Sequence, residues 1–346
     1  MARKRKLENV HVALFFKDFS HFCLSSCVGL HVAGFCTAEF LRSKGIDAFA
    51  RAVRHNADIV QAIDKYNESH KHRLTHVVIS APWLSVFDFR QLLDHYKDIQ
   101  FVVLSHSNVG FLQADPWGVS LYRQYADLSK GRNLMLGGNG PNFTEWFQCA
   151  YGLFCVCLPN LYPAPDAPPC KKWNGKAIRL GAFGAIRPEK NFMTAAGAAV
   201  AIHSMMDVPV ELNMSTGGEN CQSTTLPAIT QMTENIPGFT LKRHDWDTWD
   251  KFIPLVAEMD LLIQPSFTES FCMITADGIS QGVPSVVSPV IYWAPKSWMA
   301  NPDSAMDIAD RGIHLLTNNQ RWAGVHALKD HNEAGLDEWI GFLTTT

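Results

Sequence analysis

The 346-residue sequence lacks an apolar run long enough to cross a membrane, and no apolar segment follows its basic amino terminus. Because a membrane helix needs about 20 predominantly apolar residues, we predict neither a membrane span nor a secretory signal. The formal net charge of −3 provides no overall basic field for non-specific binding of nucleic acid. The one dense basic run, at residues 2–6, is more typical of a solvated terminus than of a nucleic-acid contact.

Paired metal-binding cysteines are also missing. The nine cysteines form no Cys-x2-Cys pair, and no histidines lie near them at the spacing of a zinc site. An odd number of cysteines in apolar surroundings is typical of reduced, mostly buried thiols, so we expect a cytoplasmic protein. The sequence contains no Gly-x-Gly-x-x-Gly, which argues against a nicotinamide oxidoreductase.

Short β-branched runs alternate with helical stretches in the first half of the chain. A helix is predicted at residues 26–44, and buried strands at residues 10–16, 46–50, 75–80, 101–105, 133–136 and 153–158. Strands separated by helices are typical of βαβ units. We therefore predict an α/β domain with a parallel sheet.

A proline-rich segment interrupts this alternation. Residues 159–169 hold five prolines and cannot form a regular element, so we interpret the segment as a linker. The alternation then resumes, with strands predicted at residues 177–183, 210–214, 261–264 and 285–288 and helices at residues 191–205, 249–258 and 274–281. Two Rossmann-like halves of similar size predict a ligand-binding cleft between them.

Two carboxylates stand eight positions apart after one of the predicted strands of the second half. Glu269 lies in the loop that follows residues 261–264, and Asp277 lies on the helix that comes next. This arrangement places both acids near one face at the mouth of a parallel sheet. Carboxylates at that position suit the hydroxyl groups of a sugar and a ribose.

A second strand-to-helix turn carries glycines and cations. Residues 181–191 include Gly184, Arg187 and Lys190, and they follow a buried strand and open a helix. Glycines permit close backbone approach, and a helix start offers N–H groups and a positive dipole end. With a guanidinium fork and an ammonium beside it, this turn is suited to a diphosphate. Taken alone, it is also compatible with an ordinary turn bearing solvated cations.

The acid pair resembles the E-x7-E signature of the family 4 retaining glycosyltransferases, with Asp277 where that family has glutamate. The glycine turn resembles the family's G-R-x-x-x-E-K-G phosphate motif, with Lys190 in register and Arg187 displaced by two positions. The resemblance implies the GT-B fold, in which two Rossmann-like domains face each other across a cleft. It predicts an acceptor domain at residues 1–160, a linker at 161–172, a nucleotide-sugar domain at 173–330 and a final segment at 331–346 that packs back on the first domain.

The same resemblance implies roles for individual residues. Glu269 would contact the donor sugar or its phosphate, and Asp277 would bind ribose hydroxyls. The other implied donor contacts come from a loop, a glycine pair, a base-stacking ring and a histidine of the first domain: Ser270, Phe271, Cys272, Gly217, Gly218, Trp246 and His106. Structural alternatives are a tight turn for the glycine pair, packing for Trp246 and a structural role for His106.

The function implied is retaining transfer of a sugar from a nucleotide-diphosphate sugar, a UDP-sugar above all, to an acceptor hydroxyl. Arg187, Lys190 and the start of the 191–205 helix would stabilise the departing diphosphate, so neither a metal nor a permanently bound cofactor is expected. Asp245 and Asp247 then form a chance Asp-x-Asp rather than a metal site. A sugar-nucleotide epimerase and a non-catalytic sugar-nucleotide-binding protein of the same fold are the alternatives.

The sequence leaves the acceptor and the oligomeric state open. The 26–42 stretch has few cations and resembles a core helix, which disfavours a membrane acceptor. A saccharide, a small molecule, a protein or a hydroxymethylated base in DNA stay as alternatives. Polar residues after the first strand, Lys17, Asp18, Ser20 and His21, are candidates for the acceptor loop. Scattered basic residues add slight support to DNA, namely Arg51, Arg54, His55, Lys71, His72 and Arg73.

Overall fold

The computed structural model describes residues 7–18, 28–169, 173–215, 224–318 and 320–345. The chain divides into two compact units. The first contains Gly29–Pro163 together with Met1–Cys23 and Asn332–Thr346, and the second contains Ala164–His331 together with Leu24–Val28.

The first unit is built on a six-stranded sheet whose strands pair in parallel, in the order β2-β1-β3-β4-β5-β6. Its strands are β1 (His11–Lys17), β2 (Asp47–Val53), β3 (His76–Ser80), β4 (Gln100–Ser105), β5 (Leu134–Gly138) and β6 (Cys155–Cys157). In register, Leu14 of β1 pairs with Ala50 on one side and Val78 on the other. The strand order reverses direction between β1 and β3, which makes this pair the topological switch point of the sheet.

Helices cover both faces of this sheet, as the buried strands require. They are α1 (Val28–Ser43), α2 (Asn56–Ser69), α3 (Val86–His95), α4 (Val109–Leu112), α5 (Pro116–Ser129) and α6 (Pro141–Tyr151). Local signals fix their ends: the Ser85 hydroxyl accepts from Asp88 N at the start of α3, and Gly152 ends α6 in the left-handed region at φ 66°. One core cluster contains Phe89 and Tyr125, and another contains Leu41.

The second unit is built on a five-stranded parallel sheet in the order β11-β10-β7-β8-β9. Its strands are β7 (Ile178–Ala182), β8 (Val210–Ser215), β9 (Phe239–His244), β10 (Leu261–Gln264) and β11 (Ser285–Val287). Its helices are α7 (Phe192–Met206), α8 (Thr225–Thr233), α9 (Trp249–Glu258), α10 (Met273–Ser280) and α11 (Ala305–Thr317). The switch point of this sheet lies between β7 and β10.

Within the final segment, residues 335–346 are predicted from the sequence to form a helix. In the structure the last helix, α12 (Arg321–Leu343), starts 14 residues earlier. The sequence pattern suggested a boundary at Gly335. The structure instead places this glycine inside the helix, where a Cβ atom would lie 2.8 Å from Leu161 Cδ2. Gly335 therefore permits close packing and does not start the helix. Beyond it, the indole of Trp339 donates to the carbonyl of Pro159 at 2.9 Å, and the ring is fully buried in the core of the first unit.

The predicted α/β architecture with parallel sheets is confirmed, and the two exact matches are α9 and β10. In the second half of the chain β9, α8 and α11 escaped prediction, and among the helices of the first half only α1 had been given bounds. Within the residues that the structure describes, no helix combines the length and the apolar character needed to cross a membrane.

Candidate active site

The predicted phosphate turn and the predicted acidic loop follow the two strands at the switch point of the second sheet. The first leaves β7 and the second leaves β10, so both start at the carboxyl edge where open α/β sheets bind ligands. Backbone bonds tie the loops together. Phe267 N donates to Glu189 O at 2.8 Å, and Asn191 Nδ2 donates to Pro265 O at 3.1 Å. The two loops therefore form one rigid surface.

The centre of this surface is an ion pair. Lys190 Nζ lies 2.5 Å from Glu269 Oε1, and the hydroxyl of Ser266 donates to the same oxygen at 2.9 Å. The Glu269 side chain is 7% exposed and that of Lys190 is 23% exposed. A carboxylate so deeply buried needs such partners to stay charged. Ser266 was not among the predicted site residues. The one sequence feature that could have indicated its role is its position three residues before Glu269.

The neighbouring Glu269 carboxylate helps to keep the buried Lys190 ammonium protonated. Burial is the largest single influence and lowers the pKa of Lys190. The charge of Glu269, the charge of Cys272 and the hydrogen bond to Glu269 together raise it, so the pKa lies above its ordinary value. The charge of the Arg187 guanidinium, three positions earlier in the same turn, lowers the pKa of Lys190. The structure thus brings Lys190 and Glu269 into contact, with Arg187 on the same turn as Lys190.

The start of α7 adjoins these cations. Asn191 precedes the helix with φ 55°, and its side chain makes no capping hydrogen bond to α7 within the described chain. Its amide instead donates to Pro265 O and Pro302 O, and its Oδ1 accepts from Thr194 at 2.7 Å. The first amides of a helix are unsatisfied by the helix itself and form an anion site. Because Asn191 holds the loops rather than capping α7, the helix start suits an anion.

Gly184 shapes the turn that leads to Lys190. Its φ of 125° lies in a region that side chains rarely adopt, although a Cβ atom would meet only Phe192, at 3.9 Å. Its N–H donates to Ser215 Oγ at the end of β8, at 3.5 Å. The glycine is therefore required by backbone conformation and not by lack of space.

Cys272 lies at the start of α10, also with a left-handed backbone at φ 68°. Burial raises the pKa of its thiol to about 12, and the charges of Glu269 and Lys190 act on it in opposite directions. The thiol lies 3.3 Å from the hydroxyl of Thr275. At neutral pH the thiol is protonated, so Cys272 is not an activated nucleophile.

Asp277 lies inside α10 and is only 2% exposed. Its Oδ1 accepts a hydrogen bond from the indole Nε1 of Trp249 at 3.0 Å. Trp249 is the first residue of α9. Sequence reasoning assigned Trp249 no role beyond the first position of a predicted helix. Nothing in the sequence indicates a contact between these two residues, which are 28 positions apart.

The remaining predicted residues differ in their environments. The Phe271 ring is buried and stacks on Trp293 at 5.0 Å between centroids, so it belongs to the core. Ser270, beside it, is half-buried. Trp246 is half-buried, and its Nε1 is buried without a hydrogen-bond partner in the described part of the chain. Gly217 and Gly218, like Ser20 and His21, lie outside the described residues.

His106 belongs to the first unit, in the loop that follows β4. Burial lowers its pKa to about 4, so the ring is neutral at pH 7. Its Nδ1 lies 3.4 Å from the amide nitrogen of Asn139. The loop is fixed by Ser105, whose carbonyl accepts from Asn139 N at 3.0 Å and whose hydroxyl accepts from Tyr122 at 2.5 Å.

No cluster of three His, Cys, Asp or Glu side chains in the described ranges could hold a metal ion. Within the Asp-x-Asp, Asp247 accepts from Thr248 N at 2.8 Å and pairs with Lys251 at 3.1 Å. Chemically, the turn after β7 carries an ammonium group, a guanidinium group and the first N–H groups of α7, beside a buried carboxylate that can accept from hydroxyl groups.

No protein-family model matches the chain, and none of the curated proteins matches it significantly. Solved structures do match the chain. Sucrose-phosphate synthase from Thermosynechococcus elongatus aligns at 12% identity and a TM-score of 0.59, over 96% of each chain. WaaG, a glycosyltransferase involved in lipopolysaccharide biosynthesis, aligns at 13% identity and a TM-score of 0.56, over 97% of this chain and 100% of its own.

A mutant of S. aureus TarM, in complex with fondaparinux, alpha-GlcNAc-glycerol and UDP, aligns at 11% identity and a TM-score of 0.54 over 78% of this chain. The alignment spans 55% of the TarM chain. At such identities the likeness concerns the fold. Two parallel α/β sheets and these neighbours give the chain the GT-B fold, as the sequence predicted.

Proposed function

We propose that the protein is a retaining glycosyltransferase that moves a sugar from a UDP-sugar to an acceptor hydroxyl, and that it resembles family 4 in its donor site. The observation that carries the proposal is the 2.5 Å pair of Lys190 and Glu269 at the switch point of the second sheet. It unites the two sequence motifs from which the resemblance was drawn. The UDP bound in the TarM neighbour supports the choice of donor.

In this proposal Lys190, Arg187 and the start of α7 hold the diphosphate. Negative charge grows on the phosphate oxygen as the bond to the sugar breaks, and preorganised cations and N–H groups stabilise that charge. The raised pKa of Lys190 keeps it protonated for this role. These groups need no metal to carry out the step.

Glu269 contacts the donor sugar, held in place by Ser266 and Lys190. Gly184 lets the backbone approach the phosphates, and residues Ser270 to Cys272 provide backbone N–H groups along the same loop. Asp277 serves the ribose hydroxyls, oriented by Trp249. Trp246 stacks on the base, Gly217 and Gly218 line the nucleotide, and His106 contacts the sugar as a neutral ring.

The acceptor oxygen attacks the anomeric carbon on the side of the leaving group. A bond forms between that oxygen and the carbon, the bond from the carbon to the phosphate oxygen breaks, and the acceptor proton passes to the departing phosphate. No covalent sugar–enzyme intermediate is needed. The protonated thiol of Cys272 fits a route without an enzyme nucleophile.

A thermal-shift panel with UDP, GDP, several UDP-sugars and NAD tests the donor class. We expect UDP or one UDP-sugar to raise the melting temperature in proportion to its affinity, and NAD to leave it unchanged. Lys190→Ala should weaken UDP binding at least tenfold. The control is Lys130→Ala, which removes an exposed lysine that pairs with Asp127 in the first unit.

A shift with NAD alone would contradict the proposal, as would unchanged UDP affinity in Lys190→Ala. Sugar-nucleotide consumption without an acceptor product would instead indicate an epimerase or hydrolase. Binding without any consumption would indicate a sugar-nucleotide-binding protein.

A further inference from the structure

Two hydrogen bonds join the turn after β7 to the loop after β10, one on each side of Lys190. Ahead of Lys190, the carbonyl of Glu189 accepts from Phe267 N at 2.8 Å. Behind it, Asn191 Nδ2 donates to Pro265 O at 3.1 Å. The first link joins two backbones, whereas the second depends on a side chain. A substitution at Asn191 can therefore remove the second link and leave the first in place.

The two residues that lie between these links both bond to the carboxylate of the candidate site. Lys190 Nζ and Ser266 Oγ donate to the same atom, Glu269 Oε1, at 2.5 Å and 2.9 Å. The carbonyl of Ser266 in turn accepts from the hydroxyl of the buried Ser288 at 2.5 Å. Because the links flank Lys190 on the turn and Ser266 on the loop, they set the distance between the ammonium and the carboxylate.

The amide of Asn191, a residue that is 7% exposed, joins three segments of the second unit. Besides Pro265 O, its Nδ2 donates to Pro302 O at 2.8 Å, in the loop that leads into α11. Its Oδ1 accepts from the hydroxyl of Thr194 at 2.7 Å, on the first turn of α7. An amide nitrogen carries two hydrogens, and both are used here. The side chain thus holds segments of the protein together and does not offer its donors to a substrate.

The backbone at Asn191 is left-handed, with φ 55° and ψ 40°. Asparagine adopts this conformation more readily than most residues, and glycine adopts it without strain. In the G-R-x-x-x-E-K-G motif that the turn resembles, the position after the lysine is a glycine. A glycine would reproduce this backbone but none of the three side-chain hydrogen bonds. The asparagine therefore adds contacts that the conformation of the turn does not itself require.

We propose that Asn191 is a positioning residue of the donor site, which holds Lys190 against Glu269 and acts on the diphosphate through Lys190. Without its amide, the carbonyls of Pro265 and Pro302 lose a donor, and the loop that carries Glu269 is free to shift relative to the turn. Site geometry of this kind depends on the residues that support it. The proposal rests on the proposed function in assigning a diphosphate to Lys190, whereas the effect on the ion pair is independent of any ligand.

Asn191→Gly tests the proposal, because glycine keeps the left-handed backbone and removes the amide. The first readout is the energetic coupling of the ion pair, from a double-mutant cycle of Lys190→Met and Glu269→Gln in urea denaturation of the full chain. We expect Asn191→Gly to remove at least half of that coupling. The matched control is Asn235→Gly, at an exposed asparagine with φ 63°, which should leave the coupling unchanged.

Calorimetric titration with UDP provides the second readout. Asn191→Gly should weaken UDP binding by about threefold or more, in line with the coupling measured between residues of one hydrogen-bond network, and Asn235→Gly should not weaken it. In a chain that already carries Lys190→Ala, Asn191→Gly should change the affinity little, because the group that it positions is missing. A role in folding alone would cost the same affinity with and without Lys190.

Thr194→Val is a milder variant, since it keeps the amide and removes the hydroxyl that orients it. It should reduce the coupling and the UDP affinity by less than Asn191→Gly does, and it carries the test if Asn191→Gly does not fold. Unchanged coupling of Lys190 and Glu269 would overturn the proposal, as would equal losses of UDP affinity with and without Lys190. If the coupling falls but the unaltered chain binds no UDP, the proposed transferase fails and the positioning of Lys190 by Asn191 stands.

Discussion

The indole of Trp249 donates to the buried carboxylate of Asp277 across 3.0 Å, joining the first residue of α9 to the middle of α10. An aspartate that is 2% exposed depends on such donors, because burying an unsatisfied carboxylate is costly. The bond also fixes which way the carboxylate faces. This contact links the stability of the second unit to the geometry of its candidate site.

Trp249→Phe removes the N–H group and keeps an aromatic ring. We expect the free energy of unfolding to fall by about 1–3 kcal/mol, the usual effect of leaving a buried group without its partner. Urea denaturation measures the change. Trp246→Phe is the matched control, because its Nε1 has no hydrogen-bond partner in the described part of the chain. Equal losses in the two variants would show that the Trp249 bond contributes nothing.

The ion pair of Lys190 and Glu269 should be energetically coupled. A double-mutant cycle with Lys190→Met and Glu269→Gln is expected to give a coupling of about 1–3 kcal/mol in the free energy of unfolding, since each single change leaves a largely buried partner unpaired. The exposed pair of Lys130 and Asp127 serves as the reference cycle and should show no resolvable coupling. Additive effects at Lys190 and Glu269 would mean that the pair is not formed in solution.

Stability should decline in mild acid because of His76. Burial lowers the pKa of this histidine, which is 2% exposed, to about 4. In the unfolded chain the pKa of a histidine is about 6.5. Between these values the unfolded state binds more protons. The contribution of neutral His76 is therefore fully present above about pH 6.5 and is lost as the pH falls toward about 4.

Urea denaturation at a series of pH values measures this loss. We expect a slope approaching about 1.4 kcal/mol per pH unit from this one group, added to that of other titrating residues. His76→Gln should flatten the profile by that amount, and the exposed control His95→Gln should not. A profile that His76→Gln leaves unchanged would show that His76 titrates normally in the native state.

Gly184→Ala tests whether backbone conformation shapes the phosphate turn. The positive φ should cost about 1–2 kcal/mol, and because the space is open the strain should not come from a clash. UDP affinity should fall as the turn relaxes. The control is Gly341→Ala, at an exposed position of α12 with open space, which should be neutral or slightly stabilising. Equal unfolding free energies for the two variants would contradict the conformational argument.

The sequence predicted best those strands whose faces are both buried. β1, β3, β4 and β10 are continuous apolar runs, and their predicted bounds agree with the structure to within one residue. β9 was missed because it lies at the edge of its sheet and carries Lys242 and Arg243, so its pattern resembles a loop. Gly335 misled the prediction because glycine marks close packing as often as a boundary.

For the site, the resemblance of two motifs to one family implied that Lys190 and Glu269 belong to the same donor site, and the structure brings their side chains into contact. The partners that hold them in place could not be predicted. Asn191 contacts Pro302 from 111 positions away, and Trp249 contacts Asp277 from 28. Such pairs result from the packing of helices and loops on the sheet, which leaves no periodic signal in the sequence. The roles assigned to the site residues stay predictions.

The helix α12 also constrains the order in which the chain can fold during synthesis. Trp339, Phe342 and Leu343 lie in the same core cluster as Val12 and Leu14, more than 300 positions earlier in the sequence. The ribosome therefore makes the whole second unit before it makes the residues that complete the core of the first. Until then the apolar strands of the first unit remain partly uncovered, the condition in which nascent chains aggregate and chaperones bind.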